Sequence, residues 1–409
     1  MNGLRSDTVK SERGMVMLFV VILLAMLALV PVGLQMVSVS SQKTRQQLTM
    51  TTQANNVARA GLVDAIDWFR RQSTQPVRSS SNPSLYPYPD AAFKPLAASG
   101  DTSDETIGLV REYQISQSGR TWGRYEVKRQ NVSSPLDPQA VRDITDRRID
   151  GHIASEGLAW YIESTGYVYE RKNASVAYNV SPNKIIGRAR VATEIRRLSI
   201  TLPANCAVIK TSRTNTNIQT NGRIIGGSSN VGFGYYSGSS GPSISGTGAQ
   251  VSGNPSTYDI GSGSVDIGTI LGVTVSELKL MADSSLNSIS ELTSSYPTMA
   301  IVYINGNTTF DSSHQLRGGG ILYVNGDLTL DSGSNTLFSG LIYASGNVNI
   351  EGPALISGTL IVGGTTLTMN GSGDVAEVDY DDAILSSVRQ QVAQYRENKS
   401  TLYTFSLMN

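Results

Sequence analysis

Three carboxylates, Asp311, Asp331 and Glu351, recur in one register at intervals of twenty residues. A stack of acids is the arrangement in this chain best suited to hold a cation or to act on a sugar polymer. If successive strands pair in parallel, the three stand about 4.8 Å apart on one corner. At about 4 Å two charges repel by only about 1 kcal/mol in bulk water, so a wet corner holds them without a ligand. Calcium needs about six to eight converging oxygens, and no Asp-rich nonapeptide is present. We read the three as turn residues in solvent, with no metal. The two histidines, His152 and His314, have no His or Cys at ligand spacing. Cys206, the single cysteine, excludes an intrachain disulfide and a thiolate zinc cluster. Gly318-Gly319-Gly320 lacks the Gly-Lys-Ser/Thr of a phosphate loop, and no Gly-x-Ser-x-Gly elbow occurs. The chain therefore reads as a non-enzyme with no cofactor.

Those carboxylates belong to a repeat that must position them. Tyr303-Ile304-Asn305-Gly306-Asn307-Thr308-Thr309-Phe310 aligns without gaps on Tyr323 to Leu330 and on Tyr343 to Ile350, and a fourth unit runs from Ile361 to Met369. Short strand, Asx-Gly turn, short strand, repeated at about twenty residues, predicts a parallel β-helix. Gly306, Gly326 and Gly346 are expected to supply positive φ at its corners. Phe310, Leu330, Ile350 and Met369 would form one inward ladder. Tyr303, Tyr323 and Tyr343 would stack inside, which removes them as a sugar platform. The Gly/Ser stretch 211–268 reads as irregular early rungs and 274–293 as a helical insertion. A stripe of Ile384, Val388, Val392 and Tyr395 would close the last rung.

Composition agrees with a turn-rich chain. In 409 residues, 33 basic and 33 acidic side chains cancel, so no field of one sign recruits nucleic acid. Charged residues make up 16% against roughly 25% in an average soluble domain, which leaves mostly uncharged polar surface.

The N-terminus carries the longest apolar run. Met15 to Leu34 has no charge and as a helix would span about 30 Å, enough for a bilayer core. The run is longer than a signal-peptide core, so it reads as a membrane span over about 15–36, kinked near Pro31, with the N-terminus inside. Beyond it Met50, Ala54, Val57, Ala58, Leu62, Ala65, Ile66 and Phe69 mark an amphipathic helix to about residue 72. Five prolines and a serine run make 73–105 a linker. Alternating segments such as Trp122 to Arg129 and Ile185 to Leu202 predict an antiparallel sheet over 106–202, with one face covered by the helix.

The leader ending Ser11-Glu12-Arg13-Gly14, followed by Met15 and a long apolar helix that turns amphipathic, resembles the class III leader of type IV pilins and pseudopilins, in particular the PilX-type minor pilins. The resemblance covers about the first 72 residues strongly and the stretch to about 202 loosely. It implies that a prepilin peptidase cuts after Gly14 and that the new N-terminal Met15 is methylated. Major pilins carry Glu at the fifth mature position. This chain has Phe19 there, so it need not dock in the usual way.

The expected fold class is α+β then all-β: a 1–14 leader, a helix over 15–72 whose first half spans the membrane, the 73–105 linker and a pilin-like sheet over 106–202. A β-helix over 203–373 and a C-terminal helical cap and tail over 374–409 complete it. The expected function is that of a minor pilin-like structural subunit of a type IV pilus or related secretion system, at the tip or in priming. Its partners would be other pilin-like subunits through the helix, the peptidase and the inner membrane, with polysaccharide in the alternative reading below, but no nucleic acid. The expected location is the bacterial inner membrane, single-pass, with the C-terminal bulk periplasmic or extracellular, and the pilus after assembly. The alternative is a membrane-tethered β-helix protein that binds or cleaves polysaccharide.

Overall fold

The computed structural model describes residues 7–72, 75–78, 108–116, 119–128, 141–149, 152–153, 156–211, 215–236, 242–263, 265–292 and 296–406; for 7–16, 25–40, 128 and 405–406 only the backbone is described. Helix α1, Asp7–Arg71, runs for 65 residues, about 98 Å at 1.5 Å per residue, and its helical backbone continues through Pro31 without a melted turn. Its second half lies on an antiparallel sheet of β1 (Gly108–Gln114), β2 (Thr121–Lys128), β4 (Ala159–Glu170) and β5 (Lys184–Arg196), with the short β3 (Val141–Asp143) beside β4. Ala54, Val57, Ala58, Leu62, Ala65 and Phe69 are buried there with Trp160, Ile162, Val168 and Val191. The helix sits close because Gly166 faces it: a Cβ at that position would lie 2.2 Å from the Ala54 carbonyl oxygen. Phe69 packs its ring 5.2 Å from both Trp160 and Tyr395.

The membrane-led fold class is corrected here, and the single-pass inner-membrane location with it. Among the described residues no helix is long and apolar enough to cross a membrane. The described apolar side chains of the first half are Met17 to Leu24, two turns of about 12 Å where a bilayer core needs about 30 Å. The rest of the expected 15–36 span falls on residues whose side chains lie outside the described ones, as does most of the 73–105 linker. Strands dominate the described chain, 23 of them against one long helix and a few short ones.

After β5 the chain enters a coil in which every strand pairing is parallel. One wall contains β11 (Gln250–Ser252), β8 (Gly222–Ile225), β22 (Ala376–Asp379), β20 (Ala354–Val362), β18 (Thr336–Ala344), β16 (Arg317–Asn325), β14 (Ala300–Asn305) and β13 (Ser284–Leu286), in that spatial order. The other contains β10 (Ser243–Ile244), β7 (Thr216–Ile218), β21 (Leu367–Asn370), β19 (Val348–Glu351), β17 (Leu328–Leu330) and β15 (Thr308–Phe310). Rungs therefore do not stack in chain order. The last-formed strand, β22, lies beside the early β8, and β6 (Cys206–Lys210) pairs with the far half of β20. There β6 continues the rung that β22 leaves. β9 (Val231–Tyr236) and β12 (Thr257–Gly261) follow it outward. The stretch 211–268, expected to hold the first rungs, instead prolongs the stack beyond its last repeat.

The connector from β12 back to β13 passes over the outside of the stack and includes two short helices, Ile267–Leu271 and Val275–Met281. The second is held by a capping box between Thr274 and Glu277, which satisfies amide groups that a helix start leaves open. After β22 the helix Asp382–Gln391 lies along β18 and β20 rather than across an open rung. The final strand, β23 (Arg396–Ser406), then returns to the first sheet as the antiparallel neighbour of β5. The coil is thus inserted between two adjacent strands of that sheet. Arg196 of β5, almost fully buried, pairs with Glu277 at 2.8 Å, and Arg396 pairs with Asp283. Thr201 N donates to the Ile270 carbonyl at 2.7 Å. These contacts fasten the sheet to the connector.

Candidate functional site

Each twenty-residue unit is locked to the next by side chains as well as by backbone. Asn307 Oδ1 accepts from Asp327 N at 2.9 Å, Asp327 Oδ1 from Asn347 N at 2.7 Å, and Asn347 Oδ1 from Thr366 N at 2.9 Å. The Asx that follows each turn glycine, Asn307, Asp327 and Asn347, is structural, and its twenty-residue spacing was the signal for it. Phe310, Leu330, Ile350 and Met369 pair in register and are fully buried. The three glycines singled out at the turns divide: Gly306 has φ 92°. At Gly326 and Gly346 the need is space, since a Cβ would lie 2.6 and 2.7 Å from the preceding rung's backbone.

The acidic row does not converge. Asp311 Oδ1 accepts from the amides of Ser313 and His314, and these bonds hold its carboxyl below the usual range. Asp331 caps a short turn through Ser332 N, and Glu351 accepts from Asn349. Among the described residues no group of three or more His, Cys, Asp or Glu could hold a metal. His152 bonds Glu156, and His314 lies 3.8 Å from Asp311. Burial pushes the Cys206 thiol up to about 12, which removes it as a nucleophile.

The tyrosine ladder is present on the other side of the wall from the expected one. Rings of Tyr303, Tyr323 and Tyr343 stack at 5.4 and 5.1 Å, but they lie under the connector, where Lys279 Nζ sits 5.7 Å from the Tyr303 ring and Tyr343 Oη donates to the Val265 carbonyl. They are buried, and burial raises the phenol of Tyr343 to about 12.

Lys210 marks the seam where β6 takes over from β22. It is fully buried, and its Nζ donates to the Thr365 carbonyl at 2.6 Å. Burial lowers its ammonium from 10.5 to about 8. The unfolded chain therefore binds more protons between those values, so this group's penalty is fully present below pH 8 and relieved as pH rises toward 10.5. Urea denaturation of the parent and of Lys210→Met across that window is expected to show the parent gaining stability relative to the variant as pH rises.

A groove of about 550 Å³ crosses the opposite stretch of the first wall. It is lined by Arg317, Asn335, Thr336, Leu355, Glu377 and Arg223, and Arg317, Leu355, Glu377 and Arg223 lie in one register across five successive strands, with Leu337 of β18 between the first two. Arg223 and Glu377 are 3.7 Å apart, although 154 residues separate them in the chain. No feature of the sequence marked them as neighbours.

Of the leader residues, Gly14 and Met15 lie in α1 with their side chains outside the described ones. Phe19 is exposed, as are all eight apolar side chains from Met17 to Leu24. The chain is thus a long helix on an antiparallel sheet that carries an inserted, parallel-stranded coil. No protein-family model and no curated protein matches it. Among solved structures it is similar to the competence-associated pilin ComZ from Thermus thermophilus, at 11% identity over 88% of this chain and 97% of that one, with a TM-score of 0.19. That neighbour is pilin-like at a coarse level and does not single out the PilX type. A likeness this slight carries no argument for fold or function.

Proposed function

We propose that this chain is a minor pilin-like structural subunit, in which the exposed two turns from Met17 to Leu24 are the assembly surface and the coil is the displayed body. The exposure of those eight apolar residues in a row is the observation that carries the reading. Contiguous apolar surface of this kind marks an interaction site, and burying each such side chain contributes about 1.5–3 kcal/mol. Every face of the segment is apolar, so a flat groove leaves half of it wet, whereas a ring of similar helices covers all of it. The second half of the same helix is clamped on the sheet, which lets the assembly surface carry the rest of the molecule. The size of the insertion between β5 and β23, from Arg196 to Arg396, favours an end position, in priming or at a tip. By the resemblance of its leader, maturation would remove residues 1–14 and methylate Met15. No enzymatic step is assigned.

Leu23→Asp places a charge within the exposed segment and touches no described core residue. It is expected to reduce co-sedimentation with sheared filaments at least tenfold while leaving the melting temperature unchanged. Undiminished co-sedimentation of this variant would overturn the reading. The mass of the natural N-terminus tests the processing separately: a start at methylated Met15 supports it, and an intact leader refutes it.

A further inference from the structure

We infer that the groove across β16, β18, β20, β22 and β8 is a binding site for a neutral oligosaccharide of about four linked pyranose rings. The five-strand row spans about 19 Å at about 4.8 Å per step, and each step is close to the length of one linked ring. The groove's volume of about 550 Å³ is that of a ligand site.

Its lining selects the class of ligand. Arg317 and Arg223 supply donors, and Glu377 and Asp374 supply acceptors, so two positive and two negative groups cancel. An anionic polymer would meet both carboxylates and a cationic one both guanidiniums. Hydroxyl groups, which donate and accept, suit both kinds of lining group. Pro353 and Leu355 give an apolar floor for the C–H faces of sugar rings. Arg223 is held beside Glu377 at 3.7 Å, which fixes a donor and an acceptor together at one end of the groove. Arg317 is held in place by its bond from Nε to the Asn335 carbonyl at 3.2 Å.

The site exists only because the rungs stack out of chain order: Arg223 comes from an early strand and Glu377 from the last one of the coil. It is independent of the assembly helix, so it stands or falls apart from the proposed function.

The test is calorimetric titration of the full chain with maltotetraose, cellotetraose and chitotetraose, and with tetragalacturonate as the acidic comparison. At least one neutral tetrasaccharide is expected to bind with a Kd on the order of 1 mM or tighter, and its disaccharide roughly tenfold more weakly. Arg317→Ala and Glu377→Gln are each expected to weaken binding roughly tenfold or more, as loss of a charged hydrogen bond does. Arg317 is exposed, so its variant should melt as the parent does and separates lost binding from lost fold. Absence of binding by all three neutral probes overturns the inference. So does tighter binding of tetragalacturonate, or an affinity indifferent to Arg317→Ala.

Discussion

Gly340→Ala is expected to destabilise the coil by roughly 2–6 kcal/mol, combining overpacking of about 1–3 with left-handed backbone strain of about 1–3. Gly320, Gly340 and Gly358 are register partners with φ of 119°, 148° and 135°. A Cβ on Gly340 would lie 2.1 Å from the Gly320 carbonyl oxygen, and one on Gly358 would lie 2.0 Å from that of Gly340. The obstruction is backbone of the neighbouring rung, which cannot swing aside as a side chain can. Gly373 is the control: a Cβ there meets nothing within 4 Å, and Gly373→Ala should stay within about 0.5 kcal/mol. Urea denaturation of both variants decides, and equal effects would show that the glycine row does not set the rung spacing.

Phe69→Ala is expected to cost about 3–5 kcal/mol, the range for emptying a buried aromatic site. Phe69 is 1% exposed, and its ring joins three parts of the chain: α1, Trp160 of β4, and Tyr395 at the start of the strand that returns from the coil. Tyr395 cannot easily move to fill the space. Its hydroxyl accepts from Val77 N at 2.9 Å and donates to the Gly157 carbonyl, so it is pinned at the far end. Since β23 completes the sheet, loosening Tyr395 should also lower hydrogen-exchange protection of Arg396 to Asn398. A loss below about 1 kcal/mol would mean that the helix does not depend on this cluster.

Local repetition was the most legible property of the chain. Tyr303, Tyr323 and Tyr343 align in sequence and pair in the structure, because an identical turn at a fixed interval returns each strand to one register. The amphipathic half of α1 was legible for a similar reason: its period leaves one stripe to bury. The membrane reading went wrong where it turned a run of apolar residues into a bilayer span, although an exposed apolar helix can equally be a surface awaiting other helices. The tyrosines were assigned to the wrong side of their wall because strand alternation shows which residues share a face but not what covers it. Here the cover is the connector, whose course over the stack leaves no periodic mark.

Residue spacing alone determined the register of the repeats and the inward row of Phe310, Leu330, Ile350 and Met369. Each depends on contacts within one rung or between neighbouring copies of one unit. Only the tertiary structure decided that β6 continues the rung left by β22, that β23 returns beside β5, and that Arg223 faces Glu377. Those pairings join segments more than 150 residues apart. A parallel edge accepts any strand that presents a suitable apolar row, and the choice among candidates is made by packing of the whole stack.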